Sequence, residues 1–137
     1  MAEHSQAGSG ADARPLSPHL QVYRMTVTMT MSIIHRITGA GLYFGTLILV
    51  YWLASAASGA DAYADAQWLL GSILGQLVLF GYTWALIHHM FGGIRHFIWD
   101  TGAMLDKHTA SRLAWLSLAA SITLTLVVWV AAYAVMA

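Results

Sequence analysis

Cysteine is absent from all 137 residues, which excludes disulfides, iron–sulfur clusters and thiolate zinc sites. Charge is scarce as well. Asp, Glu, Lys and Arg together make up 9% of the chain, where a soluble domain carries about 25%. So few charges cannot cover a water-facing surface, and an ordinary soluble domain is excluded. The six basic residues balance the six acidic ones, so no basic stripe exists for a nucleic acid to bind. The two prolines, Pro15 and Pro18, both fall early and break helix formation there. What is plentiful is apolar surface, at 58% of residues, and histidine, with seven. The histidines are the conspicuous metal-binding groups.

Residues 1–13 are small and polar, with Glu3, His4 and Asp12 among them. They have neither the apolar core of a signal peptide nor the arginines of a transit peptide and read as a disordered tail. Residues 14–31, with Tyr23 and Arg24 suited to headgroup level, read as a segment along the membrane surface. Residues 32–137 read as a membrane anchor with three spans, at about 32–57, 68–98 and 113–136. Each is longer than the ~20 residues a helix needs to cross the hydrocarbon. A soluble bundle would need charged outer faces, and these stretches have none. The expected fold is therefore all-α, with three transmembrane helices. Arg14, Arg24 and Arg36 flank the first span and Arg95, Lys107 and Arg112 the second loop, while no Lys or Arg lies from Ile37 to Ile94 or after Arg112. The positive-inside rule then makes the N-terminus and second loop cytoplasmic and the C-terminus periplasmic.

Ionisable side chains inside a membrane helix need protein, water or a cofactor to receive them. Ser32, His35, Arg36 and Gly39 stand at i, i+3, i+4 and i+7 and form one stripe. A hydroxyl, an imidazole and a guanidinium beside a bare glycine suit a quinone carbonyl or a carboxylate. For Arg36 and Ser32 the plain alternatives are snorkelling to headgroups and capping the helix.

The second cluster is His88-His89-Met90-Phe91-Gly92-Gly93-Ile94-Arg95-His96, followed by Trp99-Asp100. His89 and His96 are seven apart, on one face, and Gly92 and Gly93 leave a notch between them. A flat macrocycle held by a histidine needs such clearance, and haem iron takes neutral imidazole. The stripe continues through Ala85, Tyr82, Val78, Gly75 and Gly71. Helix packing is the alternative role for these glycines, the Gly71-x-x-x-Gly75 spacing above all. Zinc fits less well, because no third and fourth ligand stand at useful spacing. His88 points about 100° away from His89, and the notch selects His89. If both flanking loops are cytoplasmic, Ser32, Arg36, His89 and His96 converge near the inner face. Ser117, Ser121 and Thr125, at i, i+4 and i+8, read as a packing face of the third span. Trp68, Trp84, Trp99 and Trp115 read as interface anchors or ring packing.

Arg14-Pro-Leu-Ser-Pro-His-Leu-Gln-Val-Tyr23, Ser32-Ile-Ile-His-Arg-Ile-Thr-Gly39 and His89-Met-Phe-Gly-Gly-Ile-Arg-His96 with Trp99-Asp100 resemble, in order, the cytochrome b subunit family of bacterial succinate dehydrogenase. That subunit is the larger membrane anchor of respiratory complex II, and the resemblance covers Arg14 to the C-terminus. It implies a partner in a second three-helix anchor subunit, with an iron–sulfur subunit and a flavoprotein docked on the cytoplasmic side of the inner membrane. It also implies haem b shared with the partner anchor, and ubiquinone as electron acceptor. The family's motifs place quinone binding on Ser32 and Arg36 and the axial iron ligand on His89. They place His35, Arg36, Gly93 and His96 in the haem pocket or near its propionates.

The chain itself has no flavin fingerprint or dicarboxylate site, so succinate oxidation belongs to another subunit. The function expected is a haem- and quinone-binding anchor that passes electrons from iron–sulfur clusters to ubiquinone, in the respiratory chain and the tricarboxylic acid cycle. The competing readings are a fumarate reductase anchor, a purely structural anchor and a histidine-based proton channel. The last is the weakest, with neither broken helices nor inverted repeats.

Overall fold

The computed structural model describes residues 24–136. The expected tail at 1–13 and most of the expected surface segment at 14–31 lie outside this range. Every regular element within it is a helix: α1 Val27–Ser58, α2 Ala60–Gly71, α3 Ile73–Asp100 and α4 Lys107–Met136. Three of them, α1, α3 and α4, are long and apolar enough to cross a membrane. Helix is the form that closes every backbone hydrogen bond within its own segment, as a lipid environment demands. Side-chain hydroxyls follow the same rule. Those of Thr38, Thr83, Ser117 and Thr125 donate to carbonyls three or four residues back on their own helices.

The helix ends depart from the expected spans, each for a local reason. The first helix begins at Val27 instead of 32, because the Thr26 side chain accepts the Met29 N–H and caps it. Residues 27–31 are thus part of the first helix. At its other end Gly59 adopts φ 119°, a left-handed value that only glycine takes without strain. The second span, expected from 68, begins at Ile73. Ser72 interrupts the chain by donating its hydroxyl to the Leu69 carbonyl and accepting the Gly75 N–H, ending one helix and capping the next. Gly71 and Gly75 therefore sit on different helices and form no packing motif. A Cβ on Gly75 would run into the Leu69 and Leu70 carbonyls. The third span starts at Lys107 instead of 113, because Asp106 accepts the Thr109 N–H at 2.9 Å. These hydrogen bonds hold the exposed Asp106 carboxyl below its ordinary pKa of 3.8.

Antiparallel α1 and α3 meet through rings set against glycines. Tyr82 lies on Gly45, His89 on Gly39, and His35 on Gly92, where an added Cβ would strike each ring. Antiparallel α3 and α4 meet at Phe80–Trp129, with ring centroids 5.3 Å apart, and at His88–Ser121. At the acidic end of the bundle, near Asp61 and Asp65, Gln76 joins three helices. Its Nε2 donates to the Leu70 carbonyl at the end of α2, and its Oε1 accepts from the Tyr133 hydroxyl on α4. The histidine clusters lie toward the other, basic end.

Candidate haem and quinone site

The polar stripe of α1 divides into two faces. His35 and Gly39 turn toward α3, whereas Ser32 and Arg36 are exposed and bonded to each other, Arg36 Nη2 donating to Ser32 Oγ at 3.3 Å. On α3 the expected notch also divides. His35 of the same chain fills the Gly92 position, while an added Cβ on Gly93 would meet nothing within 4 Å. The structure brings His35, His89 and His96 together, with His35 and His89 stacked at 4.0 Å and His96 tilted 5.4 Å from His35. The Ser32–Arg36 pair adjoins this group on the exposed side of α1.

The hydrogen bonds of His89 fix which ring nitrogen carries the proton. Nδ1 lies 3.1 Å from the backbone carbonyl oxygen of His35 and 3.4 Å from Thr38 Oγ1. The carbonyl can only accept. The Thr38 hydroxyl already gives its single proton to the Ile34 and His35 carbonyls, at 2.9 and 3.0 Å. Nδ1 is therefore the N–H donor, and Nε2 carries the lone pair. Among the described residues Nε2 has no hydrogen-bond partner. A metal-bound histidine characteristically donates its other ring N–H to a carbonyl in this way.

His88 has the opposite environment. It is wholly buried between α3 and α4, with Trp84 stacked at 5.1 Å. The Ser121 hydroxyl donates to the Leu118 carbonyl, so His88 Nδ1 must donate to Ser121 Oγ, at 3.1 Å. Its Nε2 lies enclosed and unpaired, out of reach of any group bound outside the bundle. Ser117, Ser121 and Thr125 are all buried, as a packing face requires, and Ser121 also receives the histidine. In the sequence His88 stands out only as the rejected half of a doublet. The serine stripe facing it was the available signal.

Arg95 is the residue whose placement the sequence reading missed. Counted there as a topology charge, it is 5% exposed. Its guanidinium carbon stands 5.8 Å from the Trp99 ring centroid, a cation–π distance, and its Nε has no hydrogen-bond partner. The spacing of seven from His88 puts it on the same inward face.

One helical turn from His89, a groove of about 330 Å³ runs between α1 and α3, lined by Gly41, Phe44, Gly45, Ile48, Val78, Gly81, Tyr82 and Ala85. Additional Cβ atoms on Gly41 and Gly81 would meet nothing within 4 Å. An apolar lining with open space at Gly41, Gly81 and Gly93, beside one unpaired imidazole nitrogen, suits a flat macrocycle lying along α3. A chelated ion fits poorly, since no group of three His, Asp or Glu side chains able to hold a metal occurs among the described residues.

Comparison with known proteins agrees with this architecture. Residues 11–128 match the family described as succinate dehydrogenase/fumarate reductase transmembrane subunit. The succinate dehydrogenase cytochrome b556 subunit of Paracoccus denitrificans is 40% identical over 111 residues, covering 81% of this chain and 85% of that protein. The cytochrome b556 subunit of Rickettsia typhi is 37% identical, covering 85% and 91%. The cytochrome b560 subunit of Reclinomonas americana is 35% identical, covering 85% of each. With most of its length matched and three apolar helices in place, the chain is a multi-pass membrane protein that belongs to the succinate dehydrogenase/fumarate reductase transmembrane subunit family.

Proposed function

We propose that the chain is the cytochrome b anchor of a succinate:ubiquinone oxidoreductase, with His89 as an axial ligand of haem b and Ser32 and Arg36 at the site of quinone reduction. The observation that carries this reading is the His89 ring, protonated at Nδ1 toward the His35 carbonyl and bare at Nε2. A bound haem supplies one-electron redox chemistry between the iron–sulfur clusters and the quinone. The chain's own residues supply position and charge. Arg36 and His96 are the donors for the propionates, His35 is the pocket wall stacked behind His89 with its Nε2 enclosed, and Gly93 leaves the ring clearance on α3. Arg36 is permanently charged and stabilises negative charge developing on a quinone oxygen, while Ser32 donates a hydrogen bond to a carbonyl. Their mutual bond holds both donors on one exposed face before a quinone arrives.

The positive-inside pattern puts the Arg36, Arg95 and Lys107 end in the cytoplasm of a bacterial cell, at its inner membrane. There a flavoprotein and an iron–sulfur subunit dock, and a second three-helix anchor contributes the other axial ligand. The family's description covers fumarate reductases as well, and the same residues serve an anchor working in that direction.

The test is purification of the complex from membranes, with and without His89→Ala. The expected result is a reduced-minus-oxidised b-type band in the wild type that is lost or severely altered in the variant, while the subunits still co-purify. A normal low-spin band in His89→Ala refutes the ligand assignment. Absence of haem from the intact wild-type complex makes the chain a structural anchor.

A further inference from the structure

The His89 ring has two acceptors on α1, and one of them is a side chain. Thr38 is 5% exposed and fixed at the α1–α3 crossing, beside the Gly39 that gives the His89 ring its space. Its hydroxyl proton is committed to the Ile34 and His35 carbonyls, so the lone pairs of Oγ1 face the His89 Nδ1–H at 3.4 Å. Donation to two carbonyls polarises the hydroxyl and strengthens it as an acceptor. An acceptor on the far nitrogen fixes the tautomer and orientation of a ligating imidazole and raises its basicity, and a more basic ligand favours ferric over ferrous iron.

We infer that Thr38 is a positioning residue for the axial ligand, holding the rotation of the His89 ring and adding to its basicity through Oγ1. The inference rests on the reading of His89 as the haem ligand. It goes beyond that reading by giving the electronic setting of the haem to a hydroxyl on the neighbouring helix, in a residue that touches neither iron nor quinone. Thr38 is buried, so its γ-methyl is enclosed whatever the hydroxyl does, and the two groups can be separated by substitution.

The experiment uses the assembled complex carrying Thr38→Val, which keeps the branched shape and removes the acceptor, and Thr38→Ser, which keeps the acceptor and removes the methyl. Haem content, the low-spin ferric EPR signal and the ferric-to-ferrous ratio at a fixed ambient potential are measured for each. Haem is expected in both variants. In Thr38→Val the ferric-to-ferrous ratio falls several-fold and the EPR signal shifts as the ring turns, while Thr38→Ser matches the wild type. Identical ratios and EPR signals in Thr38→Val and wild type overturn the inference and leave His89 as ligand. Equal shifts in both variants also overturn it, since the methyl and not the hydroxyl is then at work. If Thr38→Val fails to assemble, Thr38→Ala takes its place with the same expectation. A wild-type complex without haem overturns the parent reading together with this one.

Discussion

His35 and His89 lie ring on ring, with centroids 4.0 Å apart and planes 7° from parallel, and each ring also rests on a glycine of the opposite helix. The two helices are thereby keyed to one register. His35 enters the space at Gly92, His89 enters the space at Gly39, and the His35 carbonyl takes the His89 Nδ1–H. A change at either glycine is consequently a change in a histidine's position.

Gly39→Ala tests this at the proposed ligand, His89. A Cβ there would stand 2.8 Å from His89 Cε1, so the ring must turn away from its acceptors. The expected outcome is a disturbed or lost haem spectrum in a complex that still assembles. Gly41→Ala, two residues on, meets nothing within 4 Å in this chain and is the control for any general effect of alanine on α1.

Gly92→Ala and Gly93→Ala separate packing from clearance. The first drives a Cβ into the His35 ring and should cost roughly 1–3 kcal/mol of stability, as overpacking usually does. The second meets no atom of this chain and should leave its helix packing intact while disturbing haem binding. Thermal unfolding in detergent and the optical spectrum, measured on both, report the two effects separately.

Ser121→Ala removes the acceptor of a wholly buried histidine. Interhelical hydrogen bonds in membranes are worth about 0.6 kcal/mol on average and up to about 1.7, so a loss in that range is expected on unfolding. The haem spectrum should be unchanged, because His88 faces α4. A changed axial-ligand signature would instead mean that His88 reaches the iron.

Arg36→Ala should lower quinone reductase activity by roughly 100-fold, the scale of losing a charge-stabilising donor. Ser32→Ala should act in the same direction more weakly. Dye-coupled succinate oxidation, which bypasses the quinone, should persist in both. Equal loss of the two activities would indicate failed assembly.

Asp106 gives a pH-dependent helix end. Its carboxyl pKa is lowered in the folded chain by hydrogen bonds from Thr109. The stabilisation is therefore fully present above the ordinary value of 3.8 and fades as pH falls through the lower folded value. Amide exchange at Thr109 and Ala110 should accelerate relative to mid-α4 amides at that acid end. Asp106→Asn, which caps without titrating, should show no such acid-induced change in relative protection.

Three apolar crossings and the two polar clusters were legible in the sequence because lipid sets a length and penalises stray charge. The helix ends were not, since each depends on one hydroxyl or carboxyl choosing a backbone partner: Thr26, Ser72 and Asp106. Spacing put Ser32, His35, Arg36 and Gly39 on one stripe, but a stripe is wide enough to straddle an interface, and here it does. Likewise, two adjacent glycines predicted a single notch, whereas a neighbouring helix fills one and leaves the other open. Arg95 was hidden for a related reason: positive charge near a helix end serves as a topology marker whether it snorkels outward or turns in.

The hydroxyls of α4 bear on how the chain enters a bilayer. Ser117, Ser121 and Thr125 each return their proton to their own helix, so these three hydroxyls are already paired when α4 enters the oil alone. His88 enters with its ring N–H unpaired, and Ser121 is ready to receive that Nδ1–H when the third crossing closes on the second. Biogenesis can thus be stepwise, each segment inserted before the bundle is assembled.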